Sequence, residues 1–281
     1  MATESAGGPP GSLTLRLDDV RGFVFDIDGT LVHRTPDGRA RPQPGAVEVL
    51  ERIRASGRPL VLFTNGSHVT ARAIARGLTE DGLPVADDEV LTPIESTITY
   101  LRGRHPGRPV LLMTSDATRA RMTGAGIIAA DDEDAEAVFV AHIDEMDMPT
   151  LERAARAVLR GAPLLTGSYV PAYAGANGPI FSRGAMVTAA IAKVTGVRPK
   201  VVGKPSRAAV AEVRTRLGLP TNELAVIGDD LGMDIALGRL GGSRTVLVRS
   251  GITGTVTADQ IPERSRPDAI IDAVADLLVR L

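Results

Sequence analysis

The 281-residue chain has no cysteine and no tryptophan, and only 3% of it is aromatic. Without cysteine there can be no disulfide, no thiolate nucleophile and no cysteine-ligated zinc or iron–sulfur centre. So few aromatics leave little on which single-stranded bases could stack. An excess of one charge is also lacking: 32 Lys and Arg face 34 Asp and Glu, a formal net charge of -2. That balance argues against a general nucleic-acid binder or a protein held on anionic membranes. No apolar run approaches the length of a membrane span. The four histidines, His33, His68, His105 and His142, show no metal-ligand spacing and read as structural or exposed. Residues 1–18 begin with Glu4 among glycines and prolines, with no basic start and no apolar stretch before residue 13. They read as a disordered tail rather than a signal peptide. These features lead to the expectation of a soluble, cytoplasmic protein.

What is present is an alternation of short apolar runs with helical patterns, the mark of an α/β fold with parallel strands. Residues 20–25 and 59–63 read as buried strands. Between them Val47, Leu50 and Ile53 share one face of a helix that Gly57 closes. Ser67 is a candidate cap for the next helix, with Ile74 and Leu78 inward. From about residue 91 the pattern starts afresh, with strands expected at 110–113, 137–141 and 163–165. Helices are expected near 116–123, 149–159 and 184–195. A second, smaller α/β unit at 91–197 thus reads as inserted into a first made of 19–90 and 198–281. The return opens at Lys200–Ser206, continues through a strand at 224–228 and another at 245–248, and ends in an amphipathic helix at 270–281.

Asp26 and Asp28 follow the first strand. Side chains two apart on an extended segment point the same way, so both carboxylates face one site. Alone the pair would be unremarkable, since Asp-Gly is common in turns. Other strands of the first unit also end in polar groups: Thr64 and Asn65 after 59–63, Asp229 and Asp230 after 224–228. In open parallel sheets ligands bind outside the carboxyl ends of the strands, at a topological switch point. These groups should therefore converge, and Lys204, at a Gly-Pro break beside another extended segment, is the cation to join them.

The ordered set Asp26-Ile-Asp28-Gly-Thr30-Leu31, Thr64-Asn65, Gly203-Lys204-Pro205 and Gly228-Asp229-Asp230-Leu-Gly-Met-Asp234 resembles the motifs of the haloacid dehalogenase superfamily of aspartate-dependent phosphatases. With a large α/β insertion before the lysine, it looks like the subfamily of N-acetylglucosamine-phosphate, p-nitrophenyl phosphate, phosphoglycolate and pyridoxal phosphatases. The resemblance runs from about Val20 to the end of the chain. It implies a Rossmann-like parallel-sheet core with the insertion as a cap, and a Mg²⁺-dependent phosphomonoester hydrolase acting on a small phosphorylated metabolite. Asp26 is then the nucleophile and Asp28 the proton carrier. Mg²⁺ falls to Asp26, Asp229 and Asp28 through its backbone carbonyl. Thr64, Asn65 and Lys204 bind the phosphoryl group, and Asp234 orients Lys204 or a metal-bound water. The family would also fit a homodimer formed through the cap.

Departures touch the details. Met233 stands where the family commonly has threonine, and Asp230 where relatives often carry a neutral or basic residue. Thr166-Gly167-Ser168-Tyr169 replaces a Thr-Asn-x-Asp segment of the insertion. The glycine-rich stretch 167–183 is long enough to suspect a functional loop over the site, with Arg183 a candidate for meeting an anionic leaving group. Two other readings exist: a metabolite- or partner-binding protein without turnover, and a phosphosugar mutase. Retention of Asp26, Asp28 and Lys204 speaks against the first, and a mixed α/β insertion rather than a small helical one against the second.

Overall fold

The computed structural model describes residues 17–173 and 180–281. The expected tail through residue 16, and residues 174–179 of the glycine-rich stretch, lie outside the described residues. Leu17, expected in the tail, is fully buried in the core.

The first unit is a six-stranded parallel sheet. Its strands are β1 (Gly22–Phe25), β4 (Leu60–Phe63), β5 (Val90–Leu91), β13 (Leu224–Gly228), β14 (Arg244–Val248) and β15 (Ala269–Ile271). Their order across the sheet is β15-β14-β13-β1-β4-β5. Alternate side chains along each strand enter opposite faces, as an extended chain requires. Phe23, Phe25, Leu62 and Ile227 meet Val49, Leu50 and Ile53 of helix α1 (Ala46–Ala55) and Leu78 of α2 (Ala71–Glu80). Val24, Val61 and Val226 meet Ala209 and Val213 of α7 (Arg207–Leu217) and Leu237 of α8 (Ala236–Gly241). Burial of each such large side chain contributes about 1.5–3 kcal/mol. From β1 the chain winds outward through β4 and β5, and from β13 outward through β14 and β15. The switch point thus falls between β1 and β13, where Phe25 is in register with Ile227.

A short antiparallel hairpin, β2 (Val32–Arg34) and β3 (Ala40–Pro42), follows β1. The inserted unit is a five-stranded parallel sheet in the order β12-β9-β8-β6-β7. It is built from β6 (Pro109–Met113), β7 (Ile128–Ala130), β8 (Ala137–Val140), β9 (Leu164–Thr166) and β12 (Lys200–Val201). Val110, Leu112, Phe139 and Leu165 pack on Ile94, Ile98 and Leu101 of α3 (Pro93–Arg104). On the other face Leu111, Val138, Val140 and Leu164 pack on α5 (Met148–Leu159) and α6 (Arg183–Thr195), while α4 (Asp116–Gly124) follows β6. A second hairpin pairs β10 (Ala172–Tyr173) with β11 (Ile180–Phe181) within the stretch expected to be a loop.

Four expectations about the elements need correction. Lys200 and Val201, assigned to the return, pair with Leu165 and Thr166 as an edge strand of the inserted sheet, because their backbone groups find partners there. Leu91, assigned to the insertion, ends β5 of the first sheet, in register with Phe63. Residues 270–281 are not one helix: Ala269–Ile271 add a sixth strand, and only a short 3₁₀ turn, Val274–Leu277, follows. Parallel pairing of 269–271 with Val246–Val248 satisfies the open edge of β14, which a helix would leave exposed. The cap of α2 is likewise Thr70, not Ser67; the Ser67 hydroxyl accepts instead from the backbone N–H of His142 on the inserted unit.

Candidate active site

The switch point brings the strand-tip groups together. Asp26 leaves β1 with its N–H on the carbonyl of Ile227, so β13 fixes where its side chain emerges. Lys204 Nζ donates to Asp26 Oδ1 at 2.6 Å and to Asp234 Oδ1 at 2.6 Å. It also lies 5.5 Å from the ring centre of Phe63, whose π face adds attraction. Lys204 and Asp234 are almost wholly buried, at 3% and 2% side-chain exposure.

Asp234 arrives on a single wide helical turn, Leu231–Ile235. Asp230 caps that turn, its Oδ1 accepting from Gly232 N at 2.6 Å and Met233 N at 3.1 Å. The extra carboxylate of the last motif thus has a structural task, and its own N–H donates to Asp234 Oδ2 at 3.2 Å. Asp229 Oδ2 accepts from Ile252 N at 2.6 Å. Gly29 and Gly251 close on Asp229 so tightly that a Cβ would come within 2.4 Å and 1.8 Å of Oδ2.

Lys204 is aimed by what precedes it. Val202 N donates to Thr166 O and Gly203 N to Gly167 O, so the inserted sheet holds the chain up to the lysine. A Cβ on Gly203 would lie 2.2 Å from Gly167 O, so glycine is required for this approach. Asn65, expected to help bind phosphate, has both ends of its side-chain amide on the Lys204 backbone, with Nδ2 also 3.3 Å from Met233 Sδ. Thr64 Oγ1 accepts from Gly66 N at 3.0 Å, which leaves its hydroxyl proton free to donate.

The electrostatics follow from one buried cation among three acids. Asp26, Asp229 and Asp234 bring oxygens within 4.8 Å of one another. Burial raises Asp26 well above the usual carboxylate range, with Lys204 opposing and Asp234 and Asp229 adding to the rise. Burial pushes Asp229 up to about 6, against the Ile252 N–H that lowers it, and Asp234 is raised chiefly by burial too. For Lys204 burial acts downward, but Asp234 and Asp26 outweigh it and hold the ammonium above its ordinary value. Negative charge is therefore in excess, and the donors are all hard oxygens. That set fits a divalent cation such as Mg²⁺, which favours carboxylate oxygens.

Asp28 stands apart. Its carboxylate is not in the three-acid cluster; it is about half exposed and takes Arg34 Nε at 2.6 Å. Arg183 is not in the cluster either, since its Nη1 lies 3.2 Å from both the carbonyl and Oδ1 of Asp144. Sequence reasoning missed Arg34, Gly251 and Ile252. The last two follow β14 as a polar, glycine-containing strand tip, the same signal that located Asp229. Nothing in the local pattern marks Arg34, whose contact depends on the hairpin folding back.

Comparison with known proteins agrees with this geometry. Residues 23–128 match a family of haloacid dehalogenase-like hydrolases, and residues 201–277 match a second haloacid dehalogenase hydrolase-like family. The p-nitrophenyl phosphatase from Archaeoglobus fulgidus superposes with a TM-score of 0.82 at 29% identity, over 94% of this chain and 100% of that one. NagD from Escherichia coli K-12 gives 0.81 at 28% identity, over 92% and 98%. In sequence, the acid sugar phosphatase of Staphylococcus aureus is 24% identical across 92% of this chain and 98% of its own length. With the fold, the ordered motifs and full-length relatives in agreement, the chain belongs to the haloacid dehalogenase-like hydrolases, in the phosphatase group of NagD and the p-nitrophenyl phosphatases.

Proposed function

We propose that the chain hydrolyses the phosphomonoester of a small metabolite in two steps, through a phosphoryl group carried on Asp26. The observation that carries this reading is the buried Asp26–Lys204–Asp234 bridge beside Asp229 at the switch point of the sheet. Attack by an Asp26 oxygen forms its bond to phosphorus as the bond to the leaving oxygen breaks, and Asp28 gives that oxygen a proton. Asp28 then takes a proton from water, which attacks phosphorus, breaks the acyl phosphate and frees phosphate and Asp26. Lys204 offsets charge on the transferring group, and the Thr64 hydroxyl donates to a phosphoryl oxygen. Asn65 serves indirectly, by fixing Lys204.

Asp26, Asp229 and the backbone carbonyl of Asp28 would hold Mg²⁺, with Asp234 kept to orienting Lys204. When bound, the ion supplies neutralising charge and polarises a phosphoryl oxygen. A protein that only bound a ligand would gain little from this cluster, because buried ions cost several kcal/mol each to desolvate. Among the described residues no helix is long and apolar enough to cross a membrane. Cytoplasmic residence and pairing of two copies through the inserted unit belong to the same reading.

The test is release of p-nitrophenol from p-nitrophenyl phosphate with Mg²⁺. Hydrolysis by the wild type, its loss on chelation and its loss in Asp26→Asn are expected. Full activity in the variant, or indifference to the chelator, would remove the mechanism.

A further inference from the structure

Met233, where threonine was expected, puts a thioether into the structure that holds Lys204. It lies on the wide turn Leu231–Ile235, one residue before Asp234, with its N–H on Asp230 Oδ1. Its Sδ accepts from Asn65 Nδ2 at 3.3 Å. The same amide closes on the Lys204 backbone, Nδ2 donating to the carbonyl and Oδ1 accepting from the N–H, each at 2.9 Å. A thioether is only a weak acceptor, so this contact adds little to stability. What it adds is an oxidisable atom against the group that aims the buried ammonium.

The chain has no cysteine, so no thiol competes with methionine for an oxidant. Met113 and Met122 are sealed inside the inserted unit, at 1% and 0% exposure. Met148 and Met186, on α5 and α6 of that unit, are open to solvent. Met233 lies between these extremes, partly exposed and so within reach of a molecule as small as hydrogen peroxide. Among the described residues it is the methionine whose sulfur holds a hydrogen bond, and that bond leads directly to Asn65 and Lys204.

We propose that Met233 is an oxidation site through which peroxide reversibly switches the hydrolase down, by loosening the hold of Asn65 on Lys204. The inference rests on the hydrolase reading above. The sulfur attacks one oxygen of hydrogen peroxide and forms an S–O bond as the O–O bond breaks. The second oxygen takes the remaining proton and leaves as water, so sulfur loses the two electrons that peroxide gains. Sulfur has two lone pairs, and oxidation at either disturbs Asn65. An oxygen on the pair that faces Asn65 needs about 2.7–3.2 Å to the amide nitrogen, nearly all of the 3.3 Å that now separates nitrogen from sulfur. An oxygen on the other pair leaves the sulfur electron-poor, and its attraction for the N–H turns to repulsion. Either way the amide is pushed from its place, and the lysine it fixes loses its aim.

The test treats the full chain with dilute hydrogen peroxide, then measures hydrolysis of p-nitrophenyl phosphate with Mg²⁺ and maps oxygen gain by peptide mass. In wild type, kcat should fall by roughly tenfold or more with a smaller change in KM, as for a misplaced catalytic group. The fall should track oxidation of the Met233 peptide, and methionine sulfoxide reductases A and B together should reverse it. Met233→Leu and Met233→Thr should each keep their own untreated activity after peroxide, whereas Met148→Leu with Met186→Leu should lose it as wild type does. In Asn65→Ala, oxidation of Met233 should cost little further, since the amide through which it acts is gone; damage to the fold in general would add to that loss. Equal inactivation of the Met233 variants and wild type would overturn the proposal and leave the hydrolase intact. So would full activity with Met233 oxidised, or a Met233 left untouched once Met148 and Met186 are fully converted. No hydrolysis by untreated wild type would overturn the hydrolase reading and this one with it.

Discussion

Asn65 closes a two-bond ring on the backbone of Lys204, with Nδ2 donating to the lysine carbonyl at 2.9 Å and the lysine N–H donating to Oδ1 at 2.9 Å. The residues are 139 apart in sequence, and the ring ties the tip of β4 to the point where the chain returns from the inserted unit. Asn65→Ala should misplace the ammonium without removing it. The expected outcome is a 10- to 100-fold loss in kcat with a smaller change in KM, in line with what small misplacements of catalytic groups cost. Stability should fall by about 1–3 kcal/mol, the usual cost of buried groups left unpaired, read by urea denaturation.

Lys204→Met should inactivate the enzyme and destabilise it by roughly 3–5 kcal/mol, because Asp26 and Asp234 would stay buried without their cation. Asp26→Asn in the same background should recover part of that loss, since one of the unpaired charges is gone. Denaturant midpoints of the two single variants and the double variant measure the coupling.

Burial raises Asp229 to about 6 from 3.8, and Asp26 is raised in the same sense. Between these values the folded chain holds more protons than the unfolded one, so stability falls as pH rises through that window. Metal-free protein should therefore lose Tm between about pH 4 and pH 6 from these groups. Mg²⁺, which binds the ionised carboxylates, should raise Tm more at pH 7.5 than at pH 5. A gain from Mg²⁺ that is larger at the acidic pH would contradict the placement of the ion among these acids.

Gly251→Ala should act on Asp229 through space alone, since its Cβ would come within 1.8 Å of Oδ2. The expected result is weaker Mg²⁺ activation, with the activity curve shifted to higher ion concentration by tenfold or more. Titration of activity against Mg²⁺ in wild type and variant checks it.

Much of the site was legible because Asp26, Thr64 and Asp229 each follow a buried strand. Phe25, Phe63 and Gly228 are fixed by the sheet, so the polar residues that follow them are fixed too. The family resemblance assigned Asp234 to orienting Lys204 or a metal-bound water, and Lys204 Nζ donates to its Oδ1 at 2.6 Å. What could not be read depends on contacts between segments that carry no periodic signal. That the Asn65 side chain holds the Lys204 backbone is visible only once the return segment lies against it. Asp230 reads as a spare acid until the turn it caps is formed. Residues 269–281 are rich in Ala, Ile, Val and Leu, a composition compatible with helix or strand. The open edge of β14 decided in favour of a strand, and no local sequence feature announces that edge.

The central claim is that Asp26 carries the phosphoryl group. Rapid acid quench during turnover of an isotopically labelled phosphomonoester, followed by peptide mapping, tests it directly. A hydroxylamine-labile phosphoryl group on the Asp26 peptide, formed at the rate of turnover or faster and absent from Asp26→Asn, is expected. Steady turnover with no label on that peptide, or equal labelling of the Asn variant, would contradict it.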